Sequence, residues 1–393
     1  GAVQTLLQQF TLEEKVHFMS GSTPFWTGLI DMLSGGYYQH PFPGAQNTRL
    51  GVPGVQFIDG PRGLVNGPAT CFPVAMARGA SFDPALEERV GDAIGVEHRS
   101  LGGTLYGGVC VNLLRHPAWG RAQETYGEDS HLLAEFGVAL TRGAQQHVMA
   151  CVKHFALNNM ENARFSIDVR ASPRVLHEVY LPHFKRVVDA GVACVMSAYN
   201  SVNGEWAGQS FDLLTDILKT RWGFTGFVVT DWIFGMRDSR LAALGGQDLE
   251  MPFQMHHHRD LQQLVDAGQV PVARLDDANL RMLRMQLRFE QSNAVDAGVM
   301  GSPAHRQLAL EAAQKSIVLL KNAGDLLPLH PQTRLAVIGH LAAIANTGDG
   351  GSSNTVSAHI VTPLEGVQAA IAGDGELLVQ GELVMDGYWD QPD

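Results

Sequence analysis

The sequence predicts an α/β chain: a (β/α)8 TIM-type barrel followed by a partial α/β sandwich domain. Three observations lead there. Short apolar runs recur, each closed by a polar or charged residue: VQFIDG (55–60), YGGVCVNLLR (106–115), VMACVKH (148–154), GVACVMSAYN (191–200), GFVVTD (226–231) and GGQDLEM (245–251). Amphipathic stretches of helical period lie between several of them, such as SPRVLHEVYLPHFKRVVDAG (172–191) and LLTDILKTRWG (213–223). A fresh α/β pattern then begins near residue 325. Apolar runs alternating with helices are the pattern of parallel β/α units. Six or more such units in about 250 residues point to the barrel, whose chemistry sits at the C-terminal ends of the strands.

Taken in order, GAVQTLLQQFTLEEKV reads as an amphipathic helix in which TLEE has the spacing of a capping box. The barrel is expected over residues 1–300 and a helical linker over 301–325. The segment PAHRQLALEAAQKSIVLLKN (303–322) predicts a long amphipathic helix and then a strand-like run. RLAVIGH reads as the first strand of the incomplete α/β sandwich domain, placed at 326–393. NTGDGGSSNT (346–355) is a Gly- and Ser-rich loop, and TPLEGVQAAIAG (362–373) a helix. About 70 residues is thin for an independent core, and an incomplete domain exposes apolar surface that favours self-association into a homo-oligomer.

At 393 residues the chain exceeds the size at which single cores stop growing, roughly 250–300 residues, so more than one domain is expected. The formal charge of −12 gives no basic footprint, which makes nucleic acid and anionic membranes poor partners. Cys110, Cys151 and Cys194 sit in apolar runs, where a thiol packs as a small hydrophobe, and with Cys71 they match neither a zinc spacing nor a disulfide framework. No apolar stretch reaches the roughly 18 residues of a membrane span, and the first residues do not read as a signal peptide. The expectation is a soluble protein, cytoplasmic rather than secreted.

Five segments carry candidate chemistry. Asp231 ends GFVVTD and Trp232 follows; a carboxylate at a barrel strand end beside an aromatic suits attack on a sugar carbon. Taken alone, the same Asp fits a helix cap equally well. In IDGPRG (58–63), Asp59 is placed to accept two hydrogen bonds from adjacent sugar hydroxyls, although Asp-Gly-Pro is also ordinary turn chemistry. In NLLRHPAWGRAQETYGED (112–129), Arg121 can fork onto hydroxyls, held by Glu124 or Glu128, or belong to a salt-bridged loop. In VKHFALNNMENARF (152–165), Lys153 and His154 end a buried run. They need partners there, and can donate to a sugar and keep a nearby carboxylate ionised. Tyr199 in MSAYNSVNG (196–204) can bond the nucleophile, stack on a ring, or simply fill the core. His256-His257-His258 invites a metal reading, but adjacent histidines rarely converge on one ion. No metal is expected, and their place after DLEMPF borders the substrate entrance.

In this order the segments resemble glycoside hydrolase family 3, the β-glucosidase family. LLQQFTLEEKVHFMSG, IDGPRG, GRAQETYGED, KHFALNNMEN, VMSAYNSVNG, LLTDILKTRWGFTGFVVTDW, DLEMP and SIVLLKN all look like that family's segments, over roughly residues 5–370. The resemblance implies hydrolysis of a β-linked glucoside or similar sugar from its non-reducing end, with net retention and no cofactor. It implies Asp231 as nucleophile, and Asp59, Arg121, Lys153, His154 and Tyr199 as the residues that hold the first sugar. Met196 and Trp232 would line that subsite, and Ser352 or Ser353 in the Gly-rich loop would touch the substrate. Two departures stand out. The family's Arg after the Asp-Gly-Pro turn is replaced by Val65, with Arg62 inside the turn. The acid/base residue is unassigned: Glu365, Glu376 and Glu382 are the last glutamates, and none has the expected context. A phosphorolytic relative would carry a His-Asp pair after KHF, where this chain has Asn158, Asn159 and Glu161. A carbohydrate-binding relative with impaired catalysis is the other alternative.

Overall fold

Five of the apolar runs become strands because β-branched and small apolar residues tolerate burial on both faces. The computed structural model describes residues 1–290, 295–330, 333–348, 350–371 and the backbone of 377–380. Its main sheet has six strands: β1 (Phe42–Gly44), β2 (Val55–Ile58), β3 (Leu105–Cys110), β4 (Met149–Phe155), β5 (Cys194–Ser197) and β6 (Phe227–Thr230). They lie side by side in chain order. β2 to β6 are parallel and β1 is antiparallel to β2.

Two further segments close the ring. Leu249 bridges Val229 of β6, Glu250 bridges Ser20, and Gly21 bridges Gly44 of β1. Backbone bonds hold these junctions, including Gly21 N–H to Glu250 O at 2.8 Å and Ala45 N–H to Ser20 O at 3.2 Å. The barrel therefore departs from eight regular β/α units on one side. Only residues 45–54 join β1 to β2. A parallel crossover needs a dozen or more residues, so this short connection turns the chain back antiparallel.

Helices pack outside the sheet where their caps begin them. Asp83, Asp129 and Asp238 accept the N–H of Leu86, Leu132 and Leu241 at the starts of Pro84–Ser100, Ser130–Ala144 and Ser239–Gly245. The capping box of Thr11 and Glu14 forms as its spacing predicts. It also splits the expected first helix into Ala2–Leu7 and Leu12–His17. Side chains alternate along the strands: Ala150, Val152, Val195 and Val228 join the cluster under the helices 84–100, 130–144 and 182–189. Met149, Cys151, Cys194, Met196, Phe227 and Val229 join a second cluster with Phe57 and Leu105.

After the barrel comes the helix Pro303–Ser316. The run 317–322, expected to be strand-like, forms no strand; Ile317 and Leu320 are 80% and 91% exposed, with no sheet neighbour among the described residues. Leu335–Ile338 pairs in parallel with Leu377–Gln380, and the helix Pro363–Ile371 lies between them in sequence. Glu376 and Glu382 lie outside the described residues. No helix among the described residues is long and apolar enough to cross a membrane.

Candidate active site

The strand ends converge on a cavity of about 300 Å3. Asp59 follows β2, Lys153 and His154 lie near the C-terminal end of β4, Tyr199 follows β5, and Asp231 follows β6. Adjacent residues of a regular strand face opposite sides. Lys153 and His154 both reach the cavity because the β4–β5 register shifts between Val152 and Phe155.

Each cation here has its own carboxylate. Lys153 Nζ donates to Asp59 Oδ1 at 2.7 Å, and the Tyr37 hydroxyl donates to Asp59 Oδ2 at 3.1 Å. The Arg121 fork donates to both oxygens of Glu124, at 2.9 and 2.7 Å. Glu128 is exposed and takes no part in this fork. Arg164 donates to Glu161 Oε2 at 2.8 Å, and Trp119 Nε1 to the other oxygen at 3.2 Å. Burial pulls Lys153 down most strongly, but the Asp59 charge, the Glu124 charge and the hydrogen bond to Asp59 together outweigh it, so its pKa ends above the ordinary lysine value.

Asp231 differs. Its Oδ1 accepts the Trp232 N–H at 2.8 Å, while Oδ2 is buried and has no hydrogen-bond donor among the described residues. His154 Nε2 stands 3.7 Å from Oδ2. Burial raises the Asp231 pKa, and the charges of Arg121, Lys153 and Arg164 oppose that rise. Burial, and then the charges of Arg121 and Lys153, hold His154 well below the usual imidazole value, so it is neutral. The Tyr199 hydroxyl donates to the Trp232 carbonyl at 2.8 Å and so is turned away from Asp231, which lies beside it; burial first, then the charge and hydrogen-bonding proximity of Asp231, keep it a phenol.

Met196 and Trp232 also line the cavity, and the Trp232 ring packs 4.2 Å from that of Phe57. Ser352 lines it and accepts from Arg121 Nη2 at 3.3 Å. Ser353 does not line it: its hydroxyl accepts from Gln123 Nε2 at 3.2 Å and its carbonyl from Arg62 Nε at 3.0 Å. Arg62 thus grips the Gly-rich loop rather than the cavity, and Val65 is buried in the core. The three histidines open the helix His256–Asp266 instead of lying on a loop. His256 and His258 line a separate cavity, and His257 bonds Ser239. No group of three metal-capable side chains occurs among the described residues.

Sequence reasoning missed Met32, Tyr37, Tyr38 and Arg164, which line the cavity as well. Tyr37 and Tyr38 come from a turn after Gly35-Gly36, where no strand or helix period marks a side chain. Arg164 stood in the segment VKHFALNNMENARF, but the residues next to it gave no reason to single it out.

Carboxylates and paired cations around an aromatic-lined cavity at the strand ends place this chain in the class of barrels whose strand ends carry the site. Residues 43–285 match the glycosyl hydrolase family 3 N-terminal domain, and 317–385 its C-terminal domain. The chain belongs to glycosyl hydrolase family 3. It is 36% identical over 390 residues to a beta-glucosidase of Rhizobium radiobacter, covering 95% of this chain and 45% of that one. It is 35% identical over 401 residues to thermostable beta-glucosidase B of Acetivibrio thermocellus, covering 97% of this chain and 50% of that protein. Among solved structures, beta-glucosidase 3B from Thermotoga neapolitana in complex with glucose superposes with a TM-score of 0.87 at 30% identity, covering 97% of this chain and 55% of that one. The chain spans about half the length of the curated relatives it matches.

Proposed function

We propose that this chain carries the nucleophile half of a retaining, exo-acting β-glycosidase that takes a β-glucoside or similar sugar. The observation that carries the reading is the donor-free, buried Oδ2 of Asp231 in a cavity where Arg121, Lys153 and Arg164 are each already paired. Four carboxylates (Asp59, Glu124, Glu161, Asp231) against those three cations leave a net negative field when His154 is neutral. Such a field stabilises the positive charge of an oxocarbenium-like transition state. Asp231 attacks the anomeric carbon, and the bond to the leaving oxygen breaks. Asp59 and Lys153, with Arg121, His154 and Tyr199, hold the hydroxyls of the first sugar, and Met196, Trp232 and Ser352 form the walls.

Retention requires a second carboxyl about 5–5.5 Å away to protonate the leaving oxygen. Asp59 is the other carboxylate lining the cavity, and both its oxygens are engaged. Glu365 is spent as a helix cap on Thr362. The acid/base is therefore assigned to none of these. The test uses 2,4-dinitrophenyl β-glucoside, whose leaving group needs little acid help. A burst of one equivalent, with a glucosyl adduct on the peptide holding Asp231, supports the reading. No release of dinitrophenol would sink it. A burst followed by a stall marks the variant in which the acid/base is lost, and acceleration by inorganic phosphate marks phosphorolysis.

A further inference from the structure

A neutral imidazole has one N–H, and the nitrogen that carries it decides whether the ring donates or accepts. Asn112 settles this for His154. Its Nδ2 donates to the His154 carbonyl at 2.9 Å, and its Oδ1 accepts the His154 backbone N–H at 2.8 Å. Exchanging the amide's oxygen and nitrogen would set acceptor against acceptor and donor against donor, so both contacts fix the amide one way round. That same Oδ1 lies 2.9 Å from His154 Nδ1. An amide oxygen only accepts, so Nδ1 carries the proton and Nε2 keeps a lone pair.

Nε2 is the nitrogen 3.7 Å from Asp231 Oδ2, the oxygen without a donor. The charged groups around the ring are Arg121, Lys153 and Arg164, with Asp231 in front; the three cations disfavour a second proton on it. We propose that Asn112 is a positioning residue: by holding His154 as the Nδ1–H tautomer, it keeps the ring from presenting an N–H to Asp231 Oδ2 and leaves that oxygen free to attack. The inference rests on the reading of Asp231 as nucleophile. With the proton on Nε2, an N–H would face Oδ2 from 3.7 Å, and a closure of well under 1 Å would make it a hydrogen bond that must weaken as the oxygen reaches carbon. A charged hydrogen bond lost on the way to the transition state slows the step on the order of ten- to a hundredfold. The same tautomer offers Nε2 as an acceptor, so the sugar hydroxyl placed there donates to His154 and does not receive from it.

The tautomer is read directly by long-range 1H–15N correlation on the protein labelled at histidine, with His154→Gln identifying the signal. The expected result is a pyrrole-like Nδ1 and a pyridine-like Nε2 from pH 5 to 8. In Asn112→Asp the new carboxylate stabilises the imidazolium, and Nε2 gains a proton facing Asp231. Glycosylation by 2,4-dinitrophenyl β-glucoside should then slow ten- to a hundredfold at pH values where the ring is charged. It should recover as pH rises, with KM little changed; wild type shows no such titration. A protonated Nε2 in the wild-type spectrum overturns the proposal whatever the variant does, and leaves the nucleophile reading standing. A charged His154 in Asn112→Asp with an unchanged glycosylation rate also overturns it. Full turnover by Asp231→Asn overturns the nucleophile reading and this proposal with it.

Discussion

Asp231 is costly to hold as an anion where it sits, because one oxygen is buried with no donor among the described residues. Its pKa is raised from 3.8, so the folded protein binds this proton more tightly than the unfolded chain. Stability from this residue is therefore greatest at low pH and falls as pH rises through the unfolded value toward the folded one. Asp231→Asn should consequently raise Tm at pH 7, with the gain closing at about pH 4 and below, while turnover falls by roughly 10⁴-fold or more. Calorimetry paired with a glucoside assay checks both, and a lower Tm at pH 7 would show that the charge is better solvated than the geometry implies. At this scale the sequence was informative where a residue ended an apolar run. Asp59, Lys153, His154, Tyr199 and Asp231 all meet in one cavity. It was silent where the residue came from a turn, as with Tyr37, or acted through another, as with Asn112. Ser352 and Ser353 were indistinguishable as neighbours in a Gly-rich loop; only the fold turns one to the cavity and the other to Gln123 and Arg62.

Elements place these residues through their ends. The parallel strands were legible because burial on both faces demands continuous apolar runs. β1 was not, since Phe42-Pro43-Gly44 is three residues long and carries a Pro and a Gly, both poor strand formers. The closing segment around Leu249 and Glu250 shows how the ring is tied to the following helix. Glu250 is buried, and its carboxylate accepts the N–H groups of His256 at 3.0 Å and His257 at 2.7 Å, at the start of His256–Asp266. Burial outweighs those bonds and lifts its pKa from 4.5 to about 8. A raised carboxyl pKa means that the folded state binds more protons than the unfolded one between those two values. Stability then declines as pH rises from 4.5 to about 8 and stays low above it. Glu250→Gln should flatten this part of the Tm-against-pH curve. It should also cost about 1–3 kcal/mol at pH 5, where the protonated wild-type carboxyl still offers two acceptor oxygens and the amide would set its NH2 against one of the N–H groups. A variant curve parallel to wild type between pH 5 and 8 would refute the assignment.

At the scale of the whole molecule, the segment after the barrel reaches back to complete the cavity wall. The resemblance of NTGDGGSSNT to the family loop led to that expectation, but nothing in the sequence said what would hold the loop there. The structure supplies the anchor: Arg62 Nε donates to the Ser353 carbonyl at 3.0 Å, and the Thr355 hydroxyl to the Gly63 carbonyl at 2.8 Å. Both contacts fall on the Asp-Gly-Pro-Arg-Gly turn that also carries Asp59. The same turn thus orders a cavity-facing carboxylate and the loop that brings Gly351 and Ser352 to the same cavity. Position 65 can be an apolar core residue because the arginine of this turn is used at 62 for a different task. Arg62→Met keeps the stem's volume and removes the donor, so the Ser353 carbonyl is better served by water and the loop leaves the wall. The barrel core does not depend on that bond. We therefore expect glucose binding, measured by calorimetry, to weaken roughly tenfold with a change in Tm of no more than a degree or two. Thr355→Val should act in the same direction and add little to Arg62→Met, because either change releases the same loop. An unchanged Kd in both variants would mean that the loop contributes nothing to the bound sugar. A large fall in Tm would instead place Arg62 among the residues that hold the barrel together.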